Sequence, residues 1–334
     1  MVMFWVLLFA TSTLLYVLLD GFDLGVGMLF GLTRGEDKRQ AMLNAVRPIW
    51  DGNETWLVVT GVVLWGAFPV VYATLLSAFY LPMLAMLAGL ILRGVAFEFR
   101  HNAERSRRIW DWSFVGGSLV ATFVRGMTVG ALVKGLPIEN GQYAGGEFGW
   151  FSPFAVLCGI GLCLGYALLG AGWLVKKCEA EIRDAAWRQI PYLAVGVLVF
   201  LAIVFIYALA EHLQIMGRWI ERLYLFIFPA IGAAAAVVLA ASVRRRRDEW
   251  PYYMVALIFV SAVGTLAISF WPHMIPFVVT IDKAAAPHSS LAFMFWGEGL
   301  FIFPVMLLYT AINYTVLRGQ VRSAAEHTDR HTRS

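Results

Sequence analysis

The sequence predicts an all-α integral membrane protein of about nine transmembrane helices, on three observations. Sixty per cent of its 334 residues are hydrophobic and only 14% are charged, where a soluble domain carries about a quarter charged residues; the mean hydropathy is +0.71. Long apolar runs recur without strand alternation, and in hydrocarbon a backbone that must satisfy its own hydrogen bonds forms helices. Basic residues gather in alternate loops, the signature of segments that cross and return.

Apolar windows of about twenty residues place spans at 3–33, 51–68, 76–100, 110–133, 151–176, 189–212, 223–243, 250–274 and 291–317. The first lacks a basic leader and a small-residue cleavage site, so it reads as a retained helix rather than a signal peptide. The second is the weakest, because Pro69 and the run Val70 to Ala78 suggest a kink or re-entrant turn before the third. Its presence is required by the charges. Clusters at Arg34, Lys38, Arg39 and Arg47, then around Arg100 to Arg108, Lys176 to Arg188, Arg244 to Arg247 and Arg318 to Arg333 alternate with loops holding only Lys134, Arg218, Arg222 and Lys283. Nine spans keep this alternation, with the N-terminus outside and the C-terminus cytoplasmic. Residues 1–322 therefore form one membrane domain, with approximate halves at 1–134 and 151–274 and a ninth helix at 291–317; a polar tail at 323–334 is expected to be disordered. Leu24-Gly25-Val26-Gly27-Met28-Leu29 matches Leu169-Gly170-Ala171-Gly172-Trp173-Leu174 without gaps. A parallel duplication of a four-helix unit would leave such an echo, as would chance.

Charges inside a bilayer are costly, so each is either functional or paired. Asp20 and Asp23 share a face of the first span beside Gly21, Gly25 and Gly27, which permit close helix approach. Asp51 and Glu54 stand at the cytoplasmic entrance of the second span. One reading of the entrance is a helix cap favoured by the helix dipole, above all for Asp51; the other is a proton relay, since burial and neighbouring charge adjust a carboxylate. Arg93 lies at a depth similar to Asp20 and Asp23 and reads as an interhelical ion-pair partner, while Glu98 points away from it. Arg125 and Glu298, two isolated charges in the outer half, are expected to pair.

All six histidines fall at span ends, in loops or in the tail, and the intramembrane methionines read as packing, so no heme is expected to be ligated by this chain. Cys158, Cys163 and Cys178 have no metal-binding spacing and read as packing residues; no metal site is expected. The sequence pI near 9.0 reflects orientation and anionic headgroups rather than nucleic acid. Phosphate loops and hydrolytic motifs are absent in plausible context, so this chain alone is not expected to be catalytic.

Asp20-Gly21-Phe22-Asp23-Leu24-Gly25-Val26-Gly27-Met28-Leu29 followed by Trp50-Asp51-Gly52-Asn53-x-x-Trp56 resembles subunit II of cytochrome bd-type quinol oxidases. Arg93-x-Val95-x-Phe97-Glu98-Phe99-Arg100, Trp110-Asp111-Trp112, Pro153-Phe154 and Pro304-x-x-Leu307-Leu308-Tyr309-Thr310-Ala311 extend the likeness over nearly the whole chain. The resemblance implies a bacterial inner-membrane oxidase in which a partner, subunit I, carries two b-type hemes, heme d and the quinol-oxidising loop. It also implies two four-helix bundles plus one peripheral helix. Asp51 matches an aspartate that helps admit cytoplasmic protons, Asp20 and Asp23 match aspartates close by, and Trp56 matches an aromatic linked to the oxygen route or partner interface. Glu54 stands where relatives can carry a neutral residue and adds a carboxylate to the entrance. Short loops fit the smaller members, including the cyanide-insensitive branch. The assignment leaves open a bound quinone or lipid and small accessory membrane subunits. Its rivals are a secondary transporter using the intramembrane carboxylates and a purely structural membrane partner.

Overall fold

The computed structural model describes residues 1–139, 142–211 and 213–316, without the side chains of residues 101, 180, 216, 217, 220, 221, 223 and 298. The predicted polar tail at 323–334 lies outside the described residues. The architecture is all-helical apart from two short hairpins: β1 (Ile138–Glu139) with β2 (Gln142–Tyr143), and β3 (His273–Ile275) with β4 (Val279–Thr280), both antiparallel.

Helix α1 (Val2–Leu32) is followed by a short helix not anticipated from hydropathy, α2 (Glu36–Val46). Gly35 turns the chain at φ +99°, Glu36 and Asp37 fill the first turn of α2, and Met42, Leu43 and Val46 bury its apolar face. An acidic first turn suits the positive end of the helix dipole. Trp173 Nε1 donates to the Ala45 carbonyl at 3.1 Å and clips α2 onto the core. Helix α3 (Trp50–Ala67) ends at Phe68, and Pro69 occupies the first turn of α4 (Pro69–Asn102), where a missing N–H costs nothing. The segment Val70 to Ala78 is thus helical rather than a turn, and the break inside α4 falls at Phe79, three residues before Pro82. A proline ring clashes with the preceding turn and cannot donate to it, which is the physical reason for a kink there.

The chain continues through α5 (Arg107–Lys134), α6 (Pro153–Lys177), α7 (Ala180–Ala210), α8 (Gln214–Glu221), α9 (Ile227–Arg245) and α10 (Trp250–Phe270). Ser152 caps α6 by accepting from the Ala155 N–H at 3.1 Å. After α11 (Ile281–Ala284), the last apolar stretch is broken: α12 (His288–Met294) and α13 (Ile302–Val316) are bent by 45° about a π-helical segment, Phe295–Gly299. Among the described residues seven helices are long and apolar enough to cross a membrane, or up to eight if the bent pair counts as one span. Helix α3 falls outside that set; its first turns carry Asp51 and Glu54 and lower its apolarity.

Neighbour relations repeat along the chain. Helix α1 packs on α3 and α5 as α6 packs on α7 and α10; α4 packs on α5 as α9 packs on α10. Helices α1 and α6 meet where the two Leu-Gly-x-Gly stretches cross: a Cβ on Gly170 would lie 2.6 Å from the Gly25 carbonyl carbon. A Cβ on Gly89 of α4 would likewise lie 2.8 Å from the Gly117 carbonyl oxygen of α5. Glycine at these crossings lets backbones approach closely, the dispersion-driven packing that lipid solvent demands. Around the first crossing Phe22 stacks on Trp173 with centroids 4.2 Å apart, and Phe30, Phe114, Leu169 and Val175 complete the core.

Candidate functional site

Helix α1 presents Tyr16, Asp20 and Asp23 at spacings of four and three residues, which keeps them within about 60° of one another around the helix axis. All three are buried. Arg93 of α4 enters from one side, with Nη1 donating to Asp20 Oδ1 at 2.8 Å. Arg125 of α5 enters from the other, with Nη2 donating to Asp20 Oδ2 at 3.1 Å. The Arg125 guanidinium also donates to the hydroxyls of Tyr16 and, at 3.4 Å, Tyr166 of α6, and lies 4.1 Å from the centroid of the Tyr16 ring. One carboxylate therefore joins two cations in a place shielded from water. Arg125 meets α1 rather than standing alone, because an arginine's long side chain spans the offset in depth that counting residues along each helix suggests. The Glu298 side chain, the partner expected for Arg125, lies outside the described residues.

The second carboxylate pair divides. Glu54 is half-buried, and its Oε2 is 3.4 Å from Arg93 Nη2, so it links the interior cluster to the helix end. Asp51 is exposed in the first turn of α3; the N-cap is Ile49, and no side-chain capping bond forms. Asp51 has no ion-pair partner among the described residues. Asp23 differs again. Its Oδ2 accepts from Asn53 Nδ2 at 2.7 Å, its Oδ1 is buried without a hydrogen-bond partner, and no cation lies within 4.0 Å among the described residues. The cluster thus sets three carboxyl groups, Asp20, Asp23 and Glu54, against two guanidinium groups, Arg93 and Arg125.

Trp56 was singled out by sequence; Asn53, Tyr16, Tyr166 and Tyr314 were not singled out in their own right. Asn53, inside the Trp-Asp-Gly-Asn stretch, also donates to the Leu19 carbonyl at 3.3 Å and accepts from the Tyr314 hydroxyl of α13 at 2.8 Å. Trp56, fully buried, donates from Nε1 to Thr310 Oγ1 at 3.2 Å. Tyr16 could have been found as the polar residue one turn before Asp20; Tyr314 shares a face of α13 with Thr310, four residues earlier. Glu98 is exposed and off the Arg93 face.

Near the ends of α4 and α5 a separate cluster secures α2. Asp111, from the Trp-Asp-Trp stretch, accepts from Arg100 Nε at 2.5 Å and Arg39 Nη1 at 2.9 Å, while Glu36 reaches Arg100 at 3.1 Å and Arg107 at 3.3 Å. These groups hold α2 against the helix ends and leave the interior cluster separate.

No group of three His, Cys, Asp or Glu side chains among the described residues could hold a metal ion. The interior cluster contains no imidazole, thiolate or thioether; the phenols of Tyr16 and Tyr166 are engaged by Arg125 and that of Tyr314 by Asn53, and this donor set does not fit a heme. What the cluster holds is carboxyl groups set against buried guanidinium groups.

The model of the family described as cytochrome bd terminal oxidase subunit II matches residues 1–317. Cytochrome bd-I ubiquinol oxidase subunit 2 of Escherichia coli strain K12 is 30% identical over 99% of this chain and 97% of its own length. Cytochrome bd ubiquinol oxidase subunit 2 of Bacillus subtilis is 29% identical, covering 95% and 96% of the two chains. A solved structure described as bd oxidase from Geobacillus thermodenitrificans superposes with a TM-score of 0.77 at 16% identity, over 94% of this chain and 97% of that one, which shows the shared fold. These matches decide against the transporter reading. The chain belongs to the cytochrome bd terminal oxidase subunit II family and is a multi-pass membrane subunit of a bd-type quinol oxidase, an oxidoreductase complex.

Proposed function

We propose that this chain scaffolds a heme-bearing subunit I and supplies it with cytoplasmic protons for the reduction of oxygen to water. The carrying observation is the surplus carboxyl: three acids stand against two buried guanidinium groups, and Asp23 is the one of the three without a cation within 4.0 Å among the described residues. An unpaired carboxylate in such a place costs several kcal/mol, so the cluster retains one exchangeable proton. Asp51 collects protons at the exposed helix end, Glu54 leads inward beside Arg93, and Asp23 holds the proton in the interior. Asp20, committed to Arg93 and Arg125, serves the path by anchoring those cations. Trp56, joined to α13 through Thr310, borders the oxygen route or the partner interface.

In this reading α3 counts as a span and α12 with α13 forms the ninth, the N-terminus is outside and the C-terminus cytoplasmic, and the location is the bacterial inner membrane. The recurring helix neighbours and the Gly25–Gly170 crossing support two four-helix units, at 1–134 and 151–274, related by duplication, with a peripheral ninth helix. Two b-type hemes and heme d reside in subunit I. Reduction of one O2 takes four electrons from two quinols and four protons to yield two waters. Proton uptake inside and quinol deprotonation outside separate charge without a pump.

The test is quinol-driven oxygen uptake by the two-subunit complex carrying D51N or D23N, with heme content read from the visible spectrum. Each is expected to slow uptake about tenfold at unchanged heme content, less than the hundredfold or more of a directly acting acid–base group because water partly replaces a relay member. Normal turnover of D51N would leave it only an interaction with the helix dipole, and normal turnover of D23N would end the relay reading.

A further inference from the structure

The carboxamide of Asn53 is saturated in a way that allows one orientation. Its two N–H groups donate to Asp23 Oδ2 at 2.7 Å and to the Leu19 carbonyl at 3.3 Å, and its oxygen accepts from the Tyr314 hydroxyl at 2.8 Å. Turning the amide over would set its oxygen against two acceptors, the Leu19 carbonyl and the Asp23 carboxyl. The Leu19 carbonyl cannot become a donor, so it opposes that turn in either protonation state of Asp23. The Tyr314 ring is in turn placed by an edge contact with Trp173, centroids 6.1 Å apart. Asp23 is left with one oxygen occupied by an N–H and the other, Oδ1, buried and unpartnered.

We propose that Asn53 and Tyr314 are positioning residues that restrict protonation of Asp23 to Oδ1, which makes the ninth helix part of the proton-handling site. The proposal rests on the inlet reading above. Oδ1 gains the proton as an O–H and releases it from the same atom, while Oδ2 accepts from Asn53 throughout. The charged and titratable groups facing Asp23 are Asp20 on its own helix, Glu54 of α3, Arg93 of α4, Tyr252 of α10 and Tyr314 of α13. Of these only Tyr314 acts through the Asn53 amide. Helix α13 has no buried residue of its own, and among the described residues its side-chain hydrogen bonds to α3 are those of Thr310 with Trp56 and Tyr314 with Asn53.

Y314F removes a single hydroxyl from the complete two-subunit oxidase. Infrared difference spectra on protonation, with the Asp23 carboxyl band assigned by its loss in D23N, are expected to show that band displaced in Y314F. Quinol-driven uptake should fall about fivefold, the equivalent of one net hydrogen bond, at unchanged heme content. T310V breaks the other bond between α13 and α3 and should leave the Asp23 band in place. An unmoved band in Y314F, or an equal displacement in T310V, overturns the positioning role. Turnover of D23N reads the inlet separately: unchanged uptake there refutes the inlet whatever Y314F does. Slowed D23N uptake with an unmoved Y314F band refutes only the positioning.

Discussion

Asparagine at position 20 would keep the shape of the side chain and remove the anion on which two buried cations converge. In the native protein Asp20 accepts from Arg93 at 2.8 Å and from Arg125 at 3.1 Å, with Asp20 and Arg93 wholly buried. A charge-assisted hydrogen bond contributes about 1.5–3 kcal/mol, and removing one partner of a buried ion pair costs about 3–5 kcal/mol because the other charge stays behind in low dielectric. Here two charges stay behind, and only Arg93 keeps another acid, Glu54, at 3.4 Å. D20N is therefore expected to destabilise the complex by at least about 3 kcal/mol, a factor of roughly a hundred or more in the folding equilibrium. The assay is loss of the visible heme spectrum of the solubilised complex on heating, together with retention of both subunits on purification. R125L alone leaves Asp20 on Arg93 and should cost less, about 1–3 kcal/mol. The double variant D20N/R125L removes the stranded cation with the anion and should be milder than the sum of the singles by at least about 1 kcal/mol. D20N within about 0.5 kcal/mol of the native complex, or strict additivity, would refute the claim that Asp20 holds both arginines.

Gly25→Ala pushes a Cβ into the backbone of α6 at Tyr166 and should cost about 1–3 kcal/mol, seen as a lower thermal midpoint with the heme spectrum initially normal. D111N weakens the grip of Arg39 and Arg100 that holds α2; trypsin should then cleave faster at Lys38 or Arg39 in vesicles that expose α2, which in the proposed orientation are those exposing the cytoplasmic face. Burial pushes the Cys178 thiol up to about 12, so at pH 8 it is protonated and should resist maleimide until the complex is denatured. Labelling of Cys178 in the native complex would contradict its burial just beyond the end of α6.

The membrane class and the long helices were legible because burial in lipid imposes a local requirement, about twenty apolar residues in a row. The same rule missed α2, which is too short and polar for a hydropathy window, and started the third span late. Pro69 is a helix breaker in an interior but a favoured residue in a first turn, and only the neighbouring Phe68 shows which it is. In the last apolar stretch, composition runs through a π-helical break that hydropathy does not register.

Sequence alone also located the intramembrane charges, since each interrupts an apolar run, and the carboxylates beside glycines on α1 were visible as one face. Pairing was decided only by tertiary structure. Asp20 meets Arg93 and Arg125 from 73 and 105 residues away, and the Tyr314 hydroxyl reaches Asn53 across 261 residues. No periodicity encodes which helices will be neighbours. Glycine crossings bring α1 against α6 and α4 against α5, and this packing determines which carboxylate receives two cations and which has none within 4.0 Å among the described residues. The chain's covalent order thus determined that acids are buried in this membrane subunit; the contacts between distant helices decided that Asp20 receives two guanidinium groups and that Asp23 has no cation within 4.0 Å among the described residues.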